Sequence, residues 1–228
     1  MGNLCCAEFN SFANLTVSLN IAAAEPVFNI ATVILIAYLL GSINFSYLIY
    51  KKKTGKDIRT VGSKNPGASN IRRFLGWKYY LLVLILDILK GYLAVVIADW
   101  FADGDITIVS IAGAAAIIGH SYPFWLGFKG GKSVAVTIGV FIPIGFWAVL
   151  IFAAFYFTLV GIFKIVSIAS LMGAFLLAAA TFLFGYPLPV KLLAIFSLLL
   201  IVYRHRSNII RLIRKEELGY STTKREDE

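Results

Sequence analysis

The chain has 228 residues, of which 59% are apolar and only 14% charged, with 21 Lys and Arg against 12 Asp and Glu. Soluble domains are about 45–50% apolar and about 25% charged, so a water-soluble globular fold is excluded. The 18 Phe, 11 Tyr and 4 Trp exclude a solvated coil. What remains is an all-α, polytopic integral membrane protein, since helices satisfy their own backbone in lipid.

Residues 1–26 lack the basic n-region of a signal peptide and read as a loosely ordered tail. Cys5 and Cys6 are adjacent and cannot staple distant segments. Met1-Gly2-Asn3-Leu4-Cys5-Cys6 has Cys6 where a myristoylation signal wants Ser or Thr. The membrane domain is expected over 27–215, followed by a charged tail at 216–228.

The apolar stretches run over 27–50, 79–101, 106–125, 133–163, 167–184 and 188–203. At about 1.5 Å per residue the fourth would be roughly 46 Å long as one helix, well beyond a hydrocarbon core of about 30 Å. Pro143, followed by Gly145, supplies a break. Splitting there predicts seven spans.

Basic residues are retained on the cytoplasmic side. Segments 51–78, 120–132, Lys164 and 204–228 hold 19 of the 21 Lys and Arg, whereas the tail with Glu8 and Glu25 and the turn with Asp99, Asp103 and Asp105 hold none. The N-terminus is therefore expected outside and the C-terminus inside, with those basic segments meeting at one face. Lys51, Lys52 and Lys53 read as an anchor to anionic headgroups.

Four segments on that face carry chemistry. The first, 62–73, gathers Gly62, Ser63, Lys64, Asn65, Pro66, Gly67, Asn70, Arg72 and Arg73. Gly and Pro set tight turns whose free N–H groups form concave anion sites, and Arg adds bidentate contacts to phosphate oxygens. The second pairs Gly119-His120 with Lys129-Gly130-Gly131-Lys132-Ser133 at the start of an apolar helix, a setting that favours phosphate. A P-loop is excluded: Leu126 stands where its first Gly is required, and no strand precedes it. The third, Val166 to Ser170, reads by itself as ordinary helix. The fourth, 203–211, carries Arg204, His205 and Asn208, the last two spaced to share a helical face. Within the second span, Asp87 and Lys90 are spaced to pair, either as a functional intramembrane pair or as glue between helices.

Together these segments resemble the bacterial acyl-phosphate:glycerol-3-phosphate acyltransferases, the PlsY family, from about Ile30 to Glu217. The match is carried by Gly41-Ser42, Asp57-Ile58-Arg59, Gly62-Ser63, Asn65, Gly67-Ala68, Asn70 and Arg73, then Asp87 to Gly91, Gly119-His120 and Pro123-Phe124. It continues through Phe128 to Lys132, Ser167 to Ser170, Tyr203-Arg204-His205, Asn208-Ile209 and Arg211-Leu212. The chain departs at Lys64, Ser133 and Lys215, where the family usually has Gly, and at Ser69, where Thr is usual.

The resemblance implies seven spans in the cytoplasmic membrane of a bacterium. It implies acyl transfer from acyl phosphate to the 1-hydroxyl of glycerol 3-phosphate, giving lysophosphatidic acid and phosphate. No metal or cofactor is expected, and no nucleic acid. Membrane lipid and the soluble enzyme that makes acyl phosphate are expected partners. Ser63, Arg73, Lys132, Ser170, His205 and Asn208 are the expected catalytic residues. Gly62, Asn65, Gly67, Asn70, Lys129, Gly130, Gly131 and Arg204 are expected to bind substrate phosphate. The proton acceptor is either His205 or a substrate phosphate. Rival readings are a transporter for small organic phosphates and a non-enzymatic membrane scaffold.

Overall fold

The computed structural model describes residues 30–217 and 219. Cys5, Cys6 and the tail 1–26 lie outside the described residues, as does most of 216–228. The described chain is helical, with no strand. In chain order the helices are α1 (Ile30–Ser42), α2 (Phe45–Thr54), α3 (Ala68–Leu75), α4 (Trp77–Phe101), α5 (Ile106–Ser121) and α6 (Val134–Ile144). They continue with α7 (Phe146–Phe163), α8 (Val166–Leu183), α9 (Leu188–Arg204) and α10 (Arg206–Ile213).

Their ends follow from local chemistry. The first apolar stretch, read as one helix, is two, because Asn44 adopts an extended backbone and its side chain accepts the Tyr47 N–H at 2.8 Å. Asp105 caps α5 by accepting from the N–H groups of Thr107 and Ile108. The 133–163 stretch does break. Pro143 sits in the last turn of α6, and the chain leaves the helix at Gly145, with φ −155° and ψ 43°. Lys132, before α6, and Ser167, in the first turn of α8, line one cavity, so α6 and α7 run away from that end and return to it.

By length and apolarity, five helical segments could cross a membrane, and a sixth could if the α9–α10 pair, bent by 58°, is one span. With 11 residues, α6 is shorter, about 16 Å at 1.5 Å per residue. Outward-facing Ile85, Phe175 and Leu199 are all more than half exposed and apolar, as lipid requires.

Inside, α1 packs on α5, α4 on α6, and α7 on α8, while α9 touches α8 and α5. Small residues allow the closest approaches. A side chain at Gly41 would overlap the Ala116 backbone, and one at Gly139 would overlap the Ile88 carbonyl. Val95, Val109, Ala112, Val136, Val140 and Phe141 fill the fully buried centre between these helices.

Candidate active site

The loop between α2 and α3 is built by its own polar side chains. Gly62 takes φ +57°, and Asn70, fully buried at the start of α3, ties the turn around it. Its Oδ1 accepts the Ser63 N–H at 3.0 Å, and its Nδ2 donates to the carbonyls of Ile58 and Val61 at 3.2 and 3.1 Å. Asn44 adds a bond to the Pro66 carbonyl at 3.1 Å. Asp57 pairs with Arg59 at 2.7 Å, and Arg59 Nη1 donates to the Leu126 carbonyl at 2.7 Å, locking this loop to the next. Held this way, Ser63, Asn65, Gly67 and Arg73 line a shared cavity.

The second loop is gripped from both sides. The Gly130 and Gly131 N–H groups donate to the carbonyls of Ser121 and His120 at 3.1 and 3.0 Å. Arg204 donates through Nη2 to the Gly130 carbonyl at 2.6 Å and through Nε to the Gly131 carbonyl at 3.0 Å. Ser133, with φ +61°, donates its hydroxyl to the Ile117 carbonyl at 2.9 Å. Between these anchors Lys132 projects into the cavity, and its Nζ donates to Asn208 Oδ1 at 2.5 Å.

Asn208 is oriented in turn by Glu217, a residue that sequence reasoning left in the charged tail. Glu217 Oε1 accepts from Asn208 Nδ2 and from Ser167 Oγ at 3.0 Å, and Oε2 accepts from Arg211 Nε at 2.7 Å. A carboxylate only accepts, so the Asn208 amide must turn its oxygen toward Lys132. In the sequence Glu217 stands beside Glu216 at the end of a basic stretch, with no pattern to tell the two acids apart.

The cavity encloses about 290 Å³. One end is polar, lined by Ser63, Asn65, Arg73, Lys132, Ser170, His205, Asn208 and Glu217. The other is apolar, formed by Leu84 and Ile88 of α4, Ala135 and Ile138 of α6, and Phe152, Ala153, Tyr156 and Phe157 of α7. Gly67, Asn70, Asp87 and His120 also face it. Lys129, Gly130 and Arg204 line an adjoining basic cleft with Asp57, Arg59 and Lys64, and Ser63, Asn65 and Lys132 face both spaces. Gly62 and Gly131 face neither, and shape the backbone. Asp87 and Lys90 do pair, at 2.8 Å, in the protein interior. His120, quoted only as part of a motif, contacts that pair.

At the polar end neither Arg73 nor Lys132 is ion-paired among the described residues. Arg73 Nη1 is buried with no hydrogen-bond partner among the described residues. Burial lowers the Arg73 pKa, offset in part by the Glu217 carboxylate. Burial, together with Arg211, Arg73 and Arg204, brings Lys132 down from 10.5 to about 8, against the pull of Glu217. Burial and the Lys132 charge lower His205 from 6.5 to about 4. His205 Nδ1 sits 2.8 Å from the Ile201 carbonyl, so it carries the ring proton and Nε2 is the free base. Burial raises Glu217, but hydrogen bonds from Asn208, Arg211 and Ser167 outweigh it and hold the carboxyl below its ordinary value.

Fold and cavity thus define a class, an integral membrane helical protein whose one cavity joins a cationic end to an apolar groove. The model of the glycerol-3-phosphate acyltransferase family matches residues 31–215. A glycerol-3-phosphate acyltransferase of Synechococcus elongatus is 40% identical, over 83% of this chain and 93% of that protein. One of Aquifex aeolicus is 43% identical, over 81% and 95%. The crystal structure of PlsY (YgiH), an integral membrane glycerol 3-phosphate acyltransferase, in its glycerol 3-phosphate form is 39% identical with a TM-score of 0.81, covering 85% of this chain and 96% of that one. Its lysophosphatidic acid form is 38% identical, with a TM-score of 0.74 over 83% and 94%. The chain belongs to the glycerol-3-phosphate acyltransferase family, and is an integral membrane acyltransferase rather than a transporter or scaffold.

Proposed function

We propose that the protein transfers a fatty acyl group from acyl phosphate to the 1-hydroxyl of glycerol 3-phosphate, releasing lysophosphatidic acid and inorganic phosphate. The observation that carries this reading is the single cavity with Arg73 and Lys132 at one end and an apolar groove between α4, α6 and α7 at the other. Such a cavity suits a donor with an anionic head on an acyl chain. Similarity to a protein crystallised in glycerol 3-phosphate and lysophosphatidic acid forms supports the acceptor and the product.

In this mechanism the acceptor oxygen attacks the acyl carbonyl carbon, a new C–O ester bond forms, and the C–O bond to the phosphate breaks. The hydroxyl proton leaves with a phosphate. Acyl phosphate is already activated, so the protein's task is positioning and charge stabilisation. Arg73 and Lys132 hold phosphate oxygens. Ser63, Asn65, Gly67 and Ser170 supply further polar contacts, and Asn208 steers Lys132. No Ser–His hydrogen bond is present among the described residues, so direct transfer is favoured over an acyl-serine intermediate. Burial and the Lys132 charge bring His205 down to about 4 before substrate binds, which favours a substrate phosphate, with a second pKa of about 6 in a monoester, as the proton acceptor. His205 Nε2 is left to accept a hydrogen bond.

All four polar segments meet at one end of the bundle, which supports the arrangement of seven crossings with the N-terminus outside and this site at the cytoplasmic face of a bacterial cytoplasmic membrane. The soluble enzyme that makes acyl phosphate is then a partner on that face. The test is to supply purified protein with glycerol 3-phosphate and either palmitoyl phosphate or palmitoyl-CoA, and to follow lipid product. Product from acyl phosphate alone is expected. Transfer from the thioester alone would refute the reading.

A further inference from the structure

Asp87, Lys90 and His120 are each at most 5% exposed, although two of them are ionisable groups within an apolar helix. Lys90 Nζ lies 2.8 Å from Asp87 Oδ1, 2.5 Å from the Ile43 carbonyl at the α1–α2 break, and 2.9 Å from His120 Nδ1. An ammonium has protons to donate and no acceptor, so it donates to the Ile43 carbonyl and to His120, while Asp87 holds it as an ion pair. His120 Nδ1 therefore accepts, and the neutral ring carries its proton on Nε2.

That edge of the ring faces the second loop. A Cβ at Gly131 would overlap His120 Nε2, and one at Gly130 would overlap the His120 carbonyl. The Gly131 N–H also donates to that carbonyl at 3.0 Å. Gly131 does not adopt a left-handed backbone, so glycine is required there to admit the imidazole. Across the loop, Arg204 holds the Gly130 and Gly131 carbonyls. The next residue is Lys132.

We propose that Asp87, Lys90 and His120 form a positioning relay that seats the Gly130–Lys132 loop, and hence Lys132, from within the membrane domain. The inference rests on the reading of Lys132 as a phosphate ligand. Asp87 and Lys90 lie on the same helix, and interhelical glue would account for the bonds that Lys90 sends from it to Ile43 and His120. It would not account for the fit of Gly131 against His120 Nε2. Burying an ion pair is costly compared with apolar packing, so the pair is retained for the orientation it imposes. The three are positioning residues, acting through Lys132.

The test is a double-mutant cycle with palmitoyl phosphate and glycerol 3-phosphate, using His120→Asn, Gly131→Ala and the combined variant in purified enzyme. Asparagine keeps an acceptor for Lys90 but removes the Nε2 edge, so it makes room for the added methyl. Gly131→Ala alone is expected to lose about 100-fold in kcat/KM, and His120→Asn about tenfold, within the range of contact couplings. The combined variant should stay within about threefold of His120→Asn alone, because the two residues share one contact. Losses that multiply would overturn the relay. If Gly131→Ala does not fold, Asp87→Leu/Lys90→Met decides. This apolar pair should fold, since such replacements are often neutral, yet raise KM for glycerol 3-phosphate about tenfold. Wild-type KM and kcat in that variant would overturn the relay. Multiplying losses in an active wild-type enzyme would defeat this inference alone, whereas a wild-type protein without transfer activity would defeat the functional reading as well.

Discussion

Two basic regions border the same loop and differ in what their cations hold. At the polar end of the cavity, Arg73 has a buried Nη1 with no partner among the described residues, and Lys132 meets only the neutral Asn208 amide. In the adjoining cleft, Arg59 is paired with Asp57 and a carbonyl, and Arg204 with two carbonyls. Positive charge alone does not mark a ligand site. Cations held by a carboxylate or by backbone carbonyls act as braces, and those with a buried N–H left open are available to an anion.

Removing an open cation should therefore cost most. Arg73→Ala and Lys132→Ala are expected to lose about 2–5 kcal/mol of transition-state stabilisation, roughly 30- to 5,000-fold in kcat/KM. Steady-state kinetics on folded variants check this, and a loss under tenfold at both would end the distinction. Arg204→Ala removes bonds to carbonyls that water can partly replace, so the expected loss is about tenfold. It should appear mainly in KM for glycerol 3-phosphate, with partial recovery in Arg204→Lys. An effect at Arg204 as large as at Arg73 would blur brace and ligand.

The pH profile sharpens the same contrast. As pH rises through about 8 the free enzyme loses the Lys132 ammonium, so kcat/KM should fall with an alkaline limb near 8. Bound phosphate favours the charged form, so the limb in kcat should lie higher. Lys132→Arg should abolish it. On the acid side burial and the Lys132 charge lower His205 to about 4 in the free enzyme, so its protonation does not shape kcat/KM near pH 6. A limb near pH 6 would then belong to substrate phosphate and should survive in His205→Gln. Its loss there would make His205 the base.

Much of this was legible in the sequence. Apolar run lengths announced a helical membrane protein, the Pro143–Gly145 break was visible, and turn formers beside Arg and Lys announced the polar segments. The division of labour among basic residues was not. Arg204 was read as a phosphate ligand, and its bonds to carbonyls 73 and 74 residues earlier could not be seen because only tertiary packing brings them near. Asn70 was read the same way, and the turn that its amide closes is likewise visible only in the fold. Glu217 was passed over because two adjacent acids after a helix, Glu216 and Glu217, have no periodicity that separates them.

The departures from the family pattern have a backbone meaning. Lys64, Ser133 and Lys215, standing where the family usually has Gly, have φ of 57°, 61° and 59°. The left-handed turn is kept and its strain accepted, with Ser133 gaining a hydroxyl bond to Ile117. The smallest predicted effect follows. Lys215→Gly relieves about 1 kcal/mol of strain but gains unfolded-state entropy, so thermal stability should change by less than about 1 kcal/mol, with turnover unaffected. A loss of activity there would give Lys215 a part in the site.

The central claim is that one cavity holds the phosphate at its cationic end and the acyl chain in its apolar groove. Ala153, midway along α7, lines that groove. The direct measurement compares palmitoyl and octanoyl phosphate as donors for wild-type enzyme and Ala153→Trp. Filling the groove should depress palmitoyl transfer at least tenfold more than octanoyl transfer, about 1.4 kcal/mol of discrimination. Equal losses for both chain lengths would contradict the account.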